Sequence, residues 1–213
     1  MLPSTPPVTA DDVTAAVAAA VAALSPAVDA DWSARAGDLE WTCWETAEHV
    51  ADDLFFYAAQ LGADGRPGYL PLRAEPNYPG GEPNTVRVEA EAGPAGLLAA
   101  LTATGALLAA MVRTAPPDVR AYHSFGWADG EASAAMGVLE TLVHTHDLAQ
   151  GLGLAWDPDR ELCARVLARL LPEVPSTDDA WTDLLWACGR VAPPGRPRLH
   201  DGWRWHNERQ QDR

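Results

Sequence analysis

Helix start and stop signals recur along this chain, and that rhythm confines it to packed helices. Thr42 and Glu45 form a capping box, and Val50, Leu54, Tyr57 and Leu61 follow at helical spacing, which predicts a helix from 42 to about 61. Thr9 with Asp12 opens an Ala-rich helix to about Val28. Pro94 suits the first turn of a third helix, to about Arg113, where Ala115-Pro116-Pro117 stops it. A fourth covers about 131–150, closed by Gly151 and Gly153. Asp157-Pro158 starts a fifth, ending near Leu171-Pro172. Residues 176–179 start a sixth, ending at Gly189-Arg190. Between the second and third, residues 62–93 are dense in Pro and Gly. Only 85–90 alternates, with Val86 and Val88 against Arg87 and Glu89, which predicts a short strand. The expectation is an all-α four-helix bundle over about 9–153, with long crossover loops. Additional C-terminal helices and a Trp-bearing tail, about 157–213, pack outside it as part of one domain, 1–213.

Composition removes whole function classes. The 213 residues carry 30 acidic and 15 basic side chains, a formal charge of −15, and every basic one is Arg. Without Lys there is no Schiff-base aldolase, PLP enzyme, P-loop nucleotidase or kinase. The negative charge disfavours nucleic acid and anionic membrane surfaces as partners. The absence of both Lys and Ile fits a GC-rich genome. The start, Met1-Leu2-Pro3-Ser4, lacks a signal-peptide pattern, and residues 96–112 read as a buried helix rather than a membrane span. Cys43, Cys163 and Cys188 form no CxxC pair, so thiols in a reducing cytoplasm are expected rather than disulfides or a cysteine zinc knuckle. No Gly-rich phosphate loop, Gly-x-Ser-x-Gly elbow or HExxH motif occurs, and Gly151-Leu152-Gly153-Leu154 follows a helix instead of a strand.

What remains is a small set of histidines and carboxylates. Glu140 and His144, four apart in the fourth helix, share one face and can take adjacent positions on one metal ion. Gly137, one turn below, removes bulk from that stripe. His49, mid-helix in the second helix, is the natural third donor. Two imidazoles and a carboxylate leave positions open, a catalytic composition. The same spacing also serves a solvated pair or a simple hydrogen bond, so spacing leaves both readings open. Asp53, one turn from His49, and Asp147, near His144, are candidates to orient the imidazoles through their second nitrogens. His146 lies nearly opposite His144 and reads as a packed histidine. His200 and His206 read as surface, and His123 stands in a loop that could reach the site mouth. The tryptophans at 41, 44, 181, 186, 203 and 205 read as core and tail anchors rather than a cage for a cationic ligand.

Two segments carry a resemblance: Trp41-Thr42 followed by Glu48-His49-Val50-Ala51-Asp52, and Glu140-Thr141-Leu142-Val143-His144-Thr145-His146-Asp147-Leu148-Ala149. Together they resemble the DinB-like metal-binding bundles, in the branch typified by the N-terminal domain of mycothiol-dependent maleylpyruvate isomerase. The tail around Leu184 to Arg190 and Pro194 to Arg198 is similar too. The resemblance implies a divalent metal, most often Zn2+, held by His49, Glu140 and His144; Ni2+, Fe2+ or Mn2+ also suit such donors. It implies mycothiol as co-substrate, its thiolate attacking an electrophilic small molecule in S-transfer or isomerisation. About 60 residues follow the fourth helix, too few for the isomerase's second domain, so transfer to another electrophile fits better than maleylpyruvate isomerisation. The alternatives are a metal-dependent hydrolase and a non-catalytic metal-binding bundle.

Overall fold

A computed structural model describes residues 5–76, 83–199 and 204–208. The expectations for Met1 to Ser4, for His200 and for Trp203 fall outside those residues. Six helices follow in order: α1 (Ala10–Leu24), α2 (Cys43–Gly62), α3 (Gly93–Thr114), α4 (Gly130–Leu152), α5 (Arg160–Leu170) and α6 (Ala180–Ala187). Both capping boxes form. Thr9 and Asp12 cap α1, and Thr42 and Glu45 cap α2, each side chain bonded to the other's backbone N–H. Pro26 cannot continue a helix, so α1 ends at Leu24 and a 3-10 turn, Ser25–Ala27, carries the chain on, short of the predicted Val28. Asp129, Asp159 and Asp179 cap α4, α5 and α6, which moves the start of α5 two residues past Pro158.

The first four helices make the bundle. α1 and α2 each pack against both α3 and α4. α5 packs on α4 and on α6, so α4 is covered on nearly every side and buried from Ala132 to Thr145 without a break. Close approach is set by glycines. A Cβ on Gly137 would collide with Leu108 and lie 3.0 Å from Leu54, and one on Gly105 would lie 2.8 Å from Val17. The apolar helices α1 and α3, each with its following or preceding 3-10 turn, are long enough to cross a membrane by length and composition. In the bundle they bury Val13, Val17, Leu97, Leu101 and Leu108 against their neighbours.

Two expectations need correction. Residues 85–90 form no strand. Their alternation is real, but their amides are satisfied by α2: Asp52 accepts from Thr85 and Val86 N–H at 2.8 and 2.7 Å, and Glu48 accepts from Val88 N–H at 2.9 Å. The short antiparallel pair that does form joins β1 (Glu75–Pro76) to β2 (Pro83–Asn84). Gly151 does not close α4 either. The helix runs to Leu152, and Gly153 caps it in the left-handed conformation at φ +69°.

Gly151 is held inside α4 by space. A Cβ there would overlap the Arg35 carbonyl oxygen and lie 2.6 Å from Cys43 Sγ. Backbone cannot rotate away, so Gly151→Ala should lower stability by about 1–3 kcal/mol in a urea titration. Gly153→Ala, with open space but a positive φ, should lose about 1 kcal/mol. An unchanged midpoint for Gly151→Ala would refute the close approach.

Candidate metal centre

The capped start of α2 and the C-terminal half of α4 meet at one end of the bundle. The chain before α2 is tied down by Ala36 N–H to Trp41 O at 3.0 Å, Cys43 N–H to Ala34 O at 2.8 Å and Trp44 N–H to Trp32 O at 2.9 Å. His49, in the second turn of α2, then faces Glu140 and His144 of α4. One donor atom from each of the three lies within 4.8 Å of the other two. Glu140 and His144 are buried and His49 is half-buried. Trp41, just before the cap, walls the site: its ring lies 4.8 Å from that of His49 and is stacked 6.2 Å from that of His144.

The surrounding contacts orient the imidazoles. His144 Nε2 faces Glu140 Oε2 at 3.2 Å, and Nδ1 faces Asp147 Oδ2 at 3.0 Å. Asp147, 2% exposed, also accepts from Arg190: Nη2 to Oδ2 at 2.8 Å and Nε to Oδ1 at 3.2 Å. Arg190 is held in turn by its Nη1 bond to Cys188 O at 2.8 Å and its backbone bond to Leu185 O. Asp53 Oδ2 lies 3.3 Å from His49 Nε2, and the Tyr57 hydroxyl bonds the same carboxyl.

Burial and charge polarise this cluster. Burial opposes a charge on His144, but its bonds to Asp147 and Glu140 prevail and push it up to about 9. Burial opposes a charge on Asp147 as well, yet His144 and Arg190 hold it below the usual carboxylate range. For His49, burial and then the His144 charge push the pKa down to about 4 against the pull of Glu140. Burial, then Glu140, raises Asp53 well above its ordinary value. The cluster therefore offers one unprotonated imidazole, His49, and a second, His144, that is oriented by two carboxylates and would release its Nε2 proton on binding a divalent cation.

The other histidines lie elsewhere. His146 is half-buried, 3.0 Å from Gln150 and edge-on to Trp181; His206 Nε2 meets Glu173 at 2.7 Å. His123 is half-buried on the loop after α3 and gives no donor atom to the cluster. Three contributors escape a reading by local pattern. Trp41 reads as an anchor, Tyr57 as part of the apolar face, and Arg190, 43 residues from Asp147, carries no local signal of its partner.

A helical bundle with two histidines and a glutamate converging at one end defines a DinB-like protein with a candidate metal site. The chain belongs to the family described as mycothiol maleylpyruvate isomerase N-terminal domain, whose model matches residues 10–149. No curated protein and no solved structure matches it.

The chain's own thiols are set apart from chemistry. Cys43, Cys163 and Cys188 are free and buried, and burial pushes them up to about 11, 12 and 12. Native protein at pH 8 should react with Ellman's reagent only as fast as it unfolds, and three thiols should titrate per chain in denaturant. A fast native burst would contradict that burial.

Proposed function

We propose that this chain is a cytoplasmic, divalent-metal-dependent enzyme that joins a low-molecular-weight thiol, mycothiol in the first instance, to an electrophilic small molecule. The observation that carries the reading is the convergence of His49, Glu140 and His144 donors within 4.8 Å at a partly buried end of the bundle. Two imidazoles and one carboxylate suit Zn2+ and leave coordination free, whereas structural zinc sites are closed and thiolate-rich. The bound ion would supply Lewis acidity that favours the thiolate form of an incoming thiol. The protein's residues do the rest. Asp147 and Arg190 fix the His144 ring so that Nε2 faces Glu140. Trp41 covers the two imidazoles and excludes water from that side. The nucleophilic sulfur must come from outside, since all three cysteines are buried. The family's description names mycothiol. Thiol transfer to an electrophile is the reaction proposed.

Purified protein should hold about one divalent ion per chain by elemental analysis, and His49→Ala or His144→Ala should lose it; full metal content in both variants would overturn the site. Arg190→Met should lower stability, because it removes a partner of the buried Asp147 carboxylate, and in the protein that stays folded it should weaken metal affinity about 10–100-fold, because it frees Asp147 and so the His144 ring. On a panel of electrophiles, turnover should require mycothiol. Equal turnover without thiol would replace this reading by a hydrolase.

A further inference from the structure

The bundle is covered on one side and open on the other. α5 packs over α4, whereas α3, across the bundle, packs against α1, α2 and α4 and leaves its outer stripe exposed. Ala99, Ala103, Ala106 and Leu107 recur there at helical spacing, and Leu107 is 50% exposed. The neighbouring α1 presents an outer stripe of the same kind, with Ala15 and Ala22 exposed. These are the two helices apolar enough to cross a membrane, yet only 39% of each apolar stretch is buried by the fold. A helix of that composition ordinarily hides most of its circumference.

Charge sets this face apart. The chain has a formal charge of −15 and 21% charged residues, but no charged side chain occurs from Val13 to Leu24 or from Gly93 to Val112. Two copies that met through carboxylate-bearing surfaces would repel. Two that met through α1 and α3 would keep their carboxylates apart, because a two-fold axis sets the same uncharged face against itself. The same negative charge opposes docking on an anionic bilayer. The face is also self-complementary in shape. Leu107 supplies a knob, and Ala99 and Ala103, one and two turns before it, leave a hollow of matching size. The stripe from 95 to 110 is about 24 Å long at 1.5 Å per residue, and two neighbouring helices make it about 20 Å wide. Over two copies that buries about 1,000 Å2, the low end of what a specific interface needs. We propose that the α1–α3 face joins two copies of this chain, with α3 lying across its counterpart and each Leu107 seated on the other's alanines. The proposal is independent of the metal centre.

Sedimentation velocity of the full chain at about 1 µM and about 100 µM tests it. The expected mass at the higher concentration is twice the 22.7 kDa of one chain, falling toward a single chain at the lower. Leu107→Glu places like charges in the interface at a position that is half-exposed within one copy, so it should keep the fold and weaken association at least about 100-fold. Ala103→Glu should do the same. Leu72→Glu, at a 41% exposed apolar residue on the loop after α2, should leave the dimer intact. Circular dichroism should give one helix content for all three variants. A single-chain mass at about 100 µM, or a dimer that survives both Leu107→Glu and Ala103→Glu, would overturn the inference. So would a single-chain species that sediments with phosphatidylcholine vesicles, which would assign the face to a membrane instead.

Discussion

The carboxylate of Asp147 is the interaction on which the site's architecture depends. It is almost wholly buried, and an isolated buried charge would be destabilising by several kcal/mol. It is tolerated because His144 approaches one oxygen and the Arg190 guanidinium spans both. The first partner comes from the same helix, three residues earlier. The second comes from just past α6, three residues beyond Ala187. One carboxylate thus orients an imidazole and fastens the C-terminal segment to the bundle, so the residues beyond the family match at 149 take part in the geometry of the site.

A second set of carboxylates works in the same way on the loop side of α2. Glu48 and Asp52, one turn apart, accept three backbone N–H groups from residues 85–88. His49 and Asp53 project from the neighbouring stripe of the same helix, toward α4. α2 therefore carries two acidic edges with different tasks, one capping a loop and one beside the triad.

Much of the fold was legible because its signals are local. Capping boxes at Thr9 and Thr42, Pro94 in a first turn and a glycine after α4 are decided within a few residues, and each marks a helix end in the structure. The spacing of Glu140 and His144 likewise forces a shared face. What local pattern does not carry is long-range partnership. Residues 85–90 alternate like a strand, yet their hydrogen-bond partners are side chains some 33–40 positions earlier. Arg190 has no sequence mark that points to Asp147, and Tyr57 has the spacing of a core residue while its hydroxyl reaches Asp53. Gly151 reads as a helix terminator, because the approach of Arg35 and Cys43 depends on packing that no window of sequence contains.

The long connection after α2 is pinned at two places. Gln60 holds Leu70 N–H with its carbonyl and Tyr122 O with its amide, and Asp52 holds Thr85 and Val86. Between these two anchors the β1–β2 pair adds a third tie, and closure entropy grows only with the logarithm of the length closed. Insertions between Pro76 and Pro83 would change that entropy by a fraction of a kcal/mol and leave both anchors and the strand pair in place. Tyr69, on the near side of the first anchor, would keep its position against His123. The stretch between the strands can thus drift in length and composition while the ring contact between Tyr69 and His123 stays fixed.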